Sequence, residues 1–142
     1  MIAAIGDIEA RELLRAQRLG RLGCCDDDGV PYVIPVNYLF DSEQIFIHSL
    51  PGRKINLMRR HPQVCLQVDD IQDEYNWRSV IATGLFEEVT DPAERDQILR
   101  ALFRHLPHLT PVEAKMTKGL PETIVFRIRV TQITGLGECW KS

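Results

Sequence analysis

The sequence predicts a mainly β fold: a small antiparallel barrel of six strands with few, peripheral helices. Ile124, Phe126, Ile128 and Val130 occupy alternate positions within residues 123–134, which is typical of a strand with one buried face. The turn Asp26-Asp27-Asp28-Gly29 separates two β-like runs, and its glycine can supply the positive φ that a tight hairpin requires. No repeat or low-complexity segment interrupts the pattern, so we expect a single domain over residues 1–142.

The first part of the chain is predicted to form one helix and three strands. Asp7 is expected to cap a helix that runs to about residue 18, because apolar side chains recur there at helical spacing. Tight turns are then expected to join three strands in succession, which favours an antiparallel meander. The predicted strands are residues 21–25, 31–40 and 45–48, and the predicted turns are residues 26–29 and 41–44.

The segment after the third strand has the composition of an anion-binding helix start. The strand ends in His48 and Ser49, a Pro-Gly corner follows, and Arg53 and Lys54 fall in the first helical turn. The free amides and the dipole at a helix N-terminus favour anions and disfavour cations. Two cations at this end are best explained by an anion held between them and the amides. We therefore predict a phosphate site here.

The same residues also have ordinary structural explanations. Lys54, Arg59 and Arg60 can form a solvated helix face, as runs of charge usually do. His48 follows three apolar strand residues, and a histidine there can pack at the rim of the core. His61 stands just before a proline, so we expect it to end the helix, where a cation favours the dipole.

The rest of the chain is predicted to contain three strands and one further helix. Gly84 is expected to mark a bend or a close approach within a strand. Asp91, a proline and Glu94 together predict a well-capped helix that ends near residue 105. The remaining predictions are strands at residues 64–69, 79–90 and 123–134, a polar loop at 70–77 and a long connection at 107–121.

Composition excludes several classes of function. The chain is 44% hydrophobic and 26% charged, which is the balance of a folded globular protein. A formal net charge of −3 argues against nucleic-acid binding, which requires a broad basic face. No apolar run approaches the roughly 18 residues of a membrane span, and the N-terminal residues do not have the pattern of a leader. We therefore expect a cytoplasmic protein without nucleic-acid or membrane partners.

The cysteines and histidines do not favour a metal site. The four cysteines lack the C-x-x-C spacing of thiolate zinc sites. Apolar, strand-like sequence surrounds Cys24, Cys25 and Cys65, which we expect to be small buried residues in a reducing compartment. His105 and His108 do not share a helical face and have no evident third ligand, so neither a metal nor haem is favoured.

Six short motifs follow one another at specific spacings: Gly20-Arg21-Leu22, Asp28-Gly29-Val30-Pro31-Tyr32-Val33-Ile34-Pro35-Val36-Asn37-Tyr38, Ile45-Phe46-Ile47-His48-Ser49, Gly52-Arg53-Lys54, His61-Pro62-Gln63-Val64-Cys65 and Arg78-Ser79-Val80. Together they resemble the pyridoxamine 5′-phosphate oxidase-like family of flavin-binding split barrels, and within it the small flavoproteins related to nitroimidazole-resistance reductases. The resemblance covers roughly residues 8–136. It implies a six-stranded antiparallel split barrel and a homodimer with FMN in a groove at the dimer interface.

The resemblance also assigns cofactor contacts. It implies that residues 33–37 lie beside the isoalloxazine ring and that His48, Ser49 and Lys54 approach the phosphate. Trp77 or Trp140 is a candidate to cover the ring from the partner subunit. A proline inside the ring-binding strand fits an edge, where a ligand can replace a sheet partner. The implied cofactor-binding residues are Val33, Ile34, Pro35, Val36, Asn37, His48, Ser49, Arg53, Lys54, Ser79 and Val80.

The implied function is an FMN-dependent oxidoreductase that passes electrons from NADH or NADPH to a small acceptor such as a nitroaromatic. No catalytic residue is assigned, because a bound flavin performs hydride chemistry without a fixed acid–base pair from the protein. The arginine-and-histidine segment near the C-terminus with which true pyridoxamine-phosphate oxidases bind substrate is not found, so we do not expect that activity. Two alternatives are a non-catalytic flavin-binding or storage module and a reductase that uses the deazaflavin F420.

Overall fold

The structure is a computed structural model that describes residues 1–106 and 123–139. The predicted connection at 107–121, His108 and Trp140 lie outside these residues. The described chain forms one curled antiparallel sheet with three helices. Its elements are β1 (Ile2–Ala4), α1 (Asp7–Ala16), β2 (Leu19–Cys25), β3 (Pro31–Asn37), β4 (Leu39–Asp41), β5 (Gln44–Ser49), α2 (Arg53–Arg60), β6 (Gln63–Asp73), β7 (Asn76–Glu88), α3 (Pro92–His105) and β8 (Ile124–Glu138).

The strand order is β3-β2-β6-β7-β8-β5-β4, and β1 pairs with β8. The predicted mainly β, split-barrel fold is confirmed, although the described residues contain eight strands where six were expected. The short β1 was missed, and the run predicted at 31–40 divides into β3 and β4. Both antiparallel pairings of the expected meander are present, β2 with β3 and β4 with β5, but the middle run breaks at Tyr38, so β3 and β4 lie at opposite ends of the strand order. β5 pairs in addition with β8. Tight turns fix hairpins, but pairing with β8 depends on a strand far along the chain.

The β6–β7 hairpin replaces the loop that was predicted at residues 70–77. β6 continues to Asp73 and β7 begins at Asn76, with a register irregularity between Ile71 and Asp73. The Asp73 carboxylate accepts hydrogen bonds from the Tyr75 amide, at 2.8 Å, and from the Asn76 side chain. A polar strand that projects into solvent lacks the apolar alternation by which strands are recognised, so its sequence was mistaken for a loop.

The main core lies between the inner face of the sheet and the helices α1 and α2. Leu14 of α1 and Ile55 and Met58 of α2 are fully buried against Leu22 and Leu66 of the sheet. These contacts fix α2 beside β2. The helix therefore presents its N-terminus close to the sheet edge that carries β3.

Local signals at helix and turn positions gave mixed results. The turn at Gly29 has the expected positive φ of 78°, and Gly84 is confirmed as a close approach, since a Cβ there would lie 2.2 Å from the Arg129 carbonyl oxygen. Asp91 caps α3 by accepting from the Glu94 amide at 3.0 Å. The cap assigned to Asp7 is wrong, because Gly6 precedes α1 and Asp7 lies in its first turn.

A second, smaller core lies under α3. Ile98 and Leu102 of this helix pack with Val89 and Val125 against the outer side of β5 and β8. Within the described ranges, none of the three helices has the length and apolar character needed to cross a bilayer.

Candidate functional site

The edge strand β3 presents one unpaired side. Within the described residues it hydrogen-bonds only to β2, with Pro35 opposite Arg21. Ile34 and Val36 pack toward the core, whereas Val33, which is 64% exposed, and Pro35 face outward. A proline is tolerated because an edge strand does not need every amide as a donor. β3 therefore has no strand partner on its outer side among the described residues, and its outward surface is partly apolar.

The N-terminus of α2 is open to an anion. Its N-cap is Gly52, no side chain caps it, and its first turn contains no acidic residue. The first amides of a helix have no intrahelical acceptor and carry the positive end of the dipole. The phosphate site predicted at the start of α2 thus has the free backbone amides that an anion requires.

Lys54 is half-buried beside this N-terminus. Burial lowers the pKa of its ammonium, while the neighbouring Cys24 thiol acts in the opposite direction. Lys54 forms no ion pair with a carboxylate in residues 1–106 or 123–139. The preceding residue, Arg53, also lacks such a pair. Its guanidinium carbon lies over the Tyr32 ring, 4.9 Å from the ring centroid. Both cations of the predicted phosphate seat are therefore available to a ligand.

The cations at the other end of α2 are already paired. Arg59 contacts Glu88 at 2.5 Å, and Arg60 contacts Asp27 at 2.8 Å. The side chain of His61 lies 2.7 Å from the same Asp27 carboxylate. Hydrogen bonds from Arg60 and His61 lower the pKa of Asp27. The structural explanation thus holds for Arg59, Arg60 and His61. The helix ends at His61, whose backbone amide donates a hydrogen bond to the Leu57 carbonyl at 2.8 Å.

His48 and Ser49 lie on opposite faces of β5. The buried Ser49 is on the core side, where α2 packs, and its hydroxyl donates to the Leu50 carbonyl at 2.8 Å. His48 lies on the side covered by α3, with its ring centroid 5.2 Å from that of Phe103. Ser49 therefore lies on the face of the sheet that α2 covers, whereas His48 lies on the other face and contacts α3.

Ser79 and Val80 belong to β7, which is separated from β3 by β2 and β6. Val80 is fully buried in the core, and the Ser79 hydroxyl on the outer face accepts from the Gln67 amide at 3.0 Å. Trp77, on the same face, borders a cavity of about 470 Å³ between β1 and the β6–β7 hairpin. Three strand spacings amount to roughly 14 Å. One chain therefore does not bring Ser79 to a ligand held along β3.

The cysteines are free thiols with different exposures. Cys24 is buried and Cys65 is half-buried, and in both burial raises the pKa of the thiol. Cys25 is exposed, which corrects the expectation that it would be buried. Strand alternation explains the difference, because neighbouring residues of β2 face opposite sides of the sheet.

Sequence reasoning missed a groove beside the α2 N-terminus. The β2–β3 turn and α2 enclose an open space of about 580 Å³, lined in part by Asn56 and Asp28. The only sequence signal is that Arg53, Asn56, Leu57 and Arg60 share one helical face. Which part of the chain faces them cannot be read from spacing.

Comparison with known proteins gives consistent results over nearly the whole chain. The family described as pyridoxamine 5′-phosphate oxidase matches residues 7–136. An uncharacterized protein of Rhizobium meliloti is 31% identical over 140 residues, covering 92% of this chain and 91% of that protein.

Two solved structures illustrate the structural similarity. A protein of Mesorhizobium loti described as FAD-binding is 30% identical, with a TM-score of 0.79 over 98% of this chain and 99% of that one. A candidate 5-nitroimidazole antibiotic resistance protein of Bacteroides thetaiotaomicron is 21% identical, with a TM-score of 0.78 over 96% and 87% of the two chains. At that identity the second similarity shows the fold alone.

Proposed function

This chain belongs to the pyridoxamine 5′-phosphate oxidase family, and from that premise we propose that it is an FMN-binding oxidoreductase. The observation that carries the proposal is the open N-terminus of α2 beside two cations, Arg53 and Lys54, that have no carboxylate partner among the described residues. A half-buried ammonium without a counter-charge is costly, and a phosphate supplies that charge together with acceptors for the helix amides. The FAD-binding description of the Mesorhizobium loti protein supports a flavin as the ligand.

Each part of the proposed site has a distinct role. Lys54 and the first amides of α2 would hold the phosphate, and Arg53 lies in the same first turn. The motif resemblance adds Ser49 to this set. The backbone of residues 33–37 would meet the polar edge of the ring, because β3 has no second strand partner among the described residues. When bound, the flavin supplies the hydride chemistry. The protein positions the ring and limits access of water to one face.

We also propose that the protein works as a homodimer. The outer face of the sheet carries exposed apolar side chains, among them Val33, Ile81 and Leu136. Patches of this kind on a sheet face often mark protein interfaces. A second copy on this face could bring its own Ser79 or Trp77 to the ring held along β3, which a single chain does not do.

We propose that the electron donor is NADH or NADPH and that the acceptor is a small molecule such as a nitroaromatic. The proposed compartment is the cytoplasm, where the four free cysteines would remain reduced. The support for the donor and acceptor is the motif resemblance. The alternatives are a flavin-storage module, which would use the same groove without turnover, and an F420-dependent reductase.

Three measurements test the proposal. The purified protein should show a flavin absorbance spectrum, and mass spectrometry should identify the released ligand as FMN, whereas released F420 would select the deazaflavin alternative.

Stopped-flow mixing with NADH or NADPH should bleach the bound flavin, and no bleaching by either would favour storage. Light scattering of the FMN-bound protein should give a dimer, and a monomer would refute the shared interface. Protein with no affinity for added flavin would refute the function itself.

A further inference from the structure

One arginine lies on the outer face of the sheet, next to the proposed ring-binding strand. Arg21 of β2 is directly opposite Pro35 of β3 in the strand register, and its side chain is 43% exposed. Residues that oppose each other in an antiparallel pair have Cβ atoms about 5 Å apart and side chains on one face. A molecule that approaches a flavin held along residues 33–37 from this face therefore meets Arg21.

A chain of hydrogen bonds across three strands fixes one side of this arginine. The Asp69 carboxylate of β6 accepts from Nη1 of Arg21 and from the Gln67 side-chain amide, each at 3.1 Å. The same amide donates to the Ser79 hydroxyl of β7 at 3.0 Å, so both of its N–H groups are used. The side chain of Asp69 is only 20% exposed. Arg21 is thus held by a carboxylate that is itself fixed.

This pairing leaves donors of Arg21 free. Its Nε and Nη2 contact no acceptor in the part of the chain that the structure describes. Arg129 of β8, on the same outer face, is different, because its Nε and Nη2 donate to the two carboxylate oxygens of Glu87 at 2.6 and 2.9 Å. The guanidinium fork is suited to bidentate binding of one carboxylate. Arg129 therefore uses its fork within the chain, whereas the fork of Arg21 is available.

The surface between Arg21 and the ring-binding strand is low and apolar. Gly23, the next residue of β2 on this face, is opposite Val33, and a Cβ there would lie 3.0 Å from the Cys65 sulfur. Because a side chain at this position would be crowded, the strip beside Val33 and Pro35 stays flat. A planar molecule can lie on these two apolar side chains with an acidic group directed to the neighbouring cation.

We infer that Arg21 is a specificity-determining residue, which selects small planar electron acceptors that carry a carboxylate or another anionic group. The inference rests on the proposed function, because the acceptor must approach a flavin ring held along β3. The free N–H groups of Arg21 bind the anionic group, and Asp69 positions the guanidinium. Exposed ion pairs contribute little to stability, so loss of the Arg21–Asp69 contact should leave the fold intact.

The test uses the FMN-loaded, oxidised protein and two probes of the same shape, para-nitrobenzoate and its neutral analogue para-nitrobenzamide. The change in flavin absorbance on titration gives each dissociation constant without an electron donor. The wild type should bind the benzoate at least tenfold more tightly than the amide. Arg21→Gln should weaken the benzoate at least tenfold and change the affinities for the amide and for FMN less than twofold. Arg129→Gln is the matched control and should leave all three affinities unchanged.

Two results would overturn the inference and leave the proposed function standing: equal affinities of the wild type for the two probes, or an Arg21→Gln variant that binds the benzoate as the wild type does. Weaker FMN binding in Arg21→Gln would also overturn it, since that result assigns the residue to the cofactor. The wild-type comparison needs no substitution, so poor folding of a variant does not spoil the test. Absence of FMN binding in the wild type would instead remove the proposed function and the inference with it.

Discussion

Two partly or fully buried cations, Arg127 and Lys54, lie at the two ends of the curled sheet and differ in whether a carboxylate pairs with them. Under α3, the side chain of Arg127 is 10% exposed and is surrounded by the carboxylates of Glu87 and Glu94 and the amide of Gln44, whose oxygen accepts at 2.8 Å. At the other end, Lys54 is half-buried and has no carboxylate partner among the described residues. Buried charge is tolerated only when it is matched. Arg127 is therefore matched within the chain, and the partner of Lys54 is expected to be a ligand.

The two helices next to these cations differ in the same sense. α3 begins with Asp91, whose side chain accepts from the Glu94 amide. α2 begins with Gly52 and has no side-chain cap. One helix satisfies its first amides with its own sequence, and the other leaves them for an anion. The comparison thus separates a stabilising region from a binding region, and each prediction below tests that separation.

The largest expected effect is on stability. Arg127→Met should lower the free energy of unfolding by about 3 kcal/mol, because Glu94 and the Gln44 amide lose charge-assisted hydrogen bonds to a nearly buried cation, while Glu87 keeps its pair with Arg129. Urea denaturation would measure the loss, and flavin affinity should stay unchanged. Arg129→Met is the matched control, since Arg129 also pairs with Glu87 but is exposed. Equal losses in the two variants would show that burial at Arg127 does not matter.

Lys54→Met should weaken flavin binding without lowering stability, which is the reverse of Arg127→Met. Flavin binding should weaken by about 1.5 to 3 kcal/mol if the ammonium contacts the phosphate directly. The unfolding free energy of the flavin-free protein should not fall, because the substitution removes a desolvated charge. Fluorescence titration and urea denaturation on the same sample would measure both. An unchanged dissociation constant would move the phosphate away from α2.

Parts of both regions could be predicted because their signals are local. The Asp91 cap, the Gly29 turn and the alternation of β8 each depend on a few neighbouring residues. The cations at the start of α2 were identified in the same way. Local signals failed where a residue had a second interpretation, as with Asp7, which lies one position inside α1.

The rest could not be predicted because it depends on long-range pairing. The sequence does not show that β5 pairs with β8, which places the Arg127 cluster under α3. It also does not show that the β2–β3 turn faces α2, which forms the groove around Asn56. The long polar hairpin of β6 and β7 was missed because solvated strands lack a one-sided apolar pattern.

A carboxylate placed at the start of α2 should imitate the α3 cap and compete with the ligand. Gly52 has an extended φ of 175°, and a Cβ there would meet nothing within 4 Å, so Gly52→Asp should be accommodated. It should raise the stability of the flavin-free protein by about 0.5 kcal/mol and weaken flavin binding about tenfold. Gly52→Ala, which adds a side chain without an acceptor, is the control. If both variants bind flavin like the wild type, the α2 amides do not hold the phosphate.

The smallest expected effect is a dependence on pH that only the Lys54 end should show. Burial lowers the pKa of Lys54 in the free protein, and a bound phosphate should raise it again. As pH rises through the lowered pKa, the free protein loses this proton, so flavin affinity should begin to fall at a pH below the ordinary lysine pKa of about 10.4. Over the interval between these two pKa values the unfolded chain binds the extra proton, so the stability of the flavin-free protein gains a contribution from this group. Lys54→Arg keeps its charge and should flatten the affinity profile, whereas an equally steep profile in that variant would assign the dependence to another group.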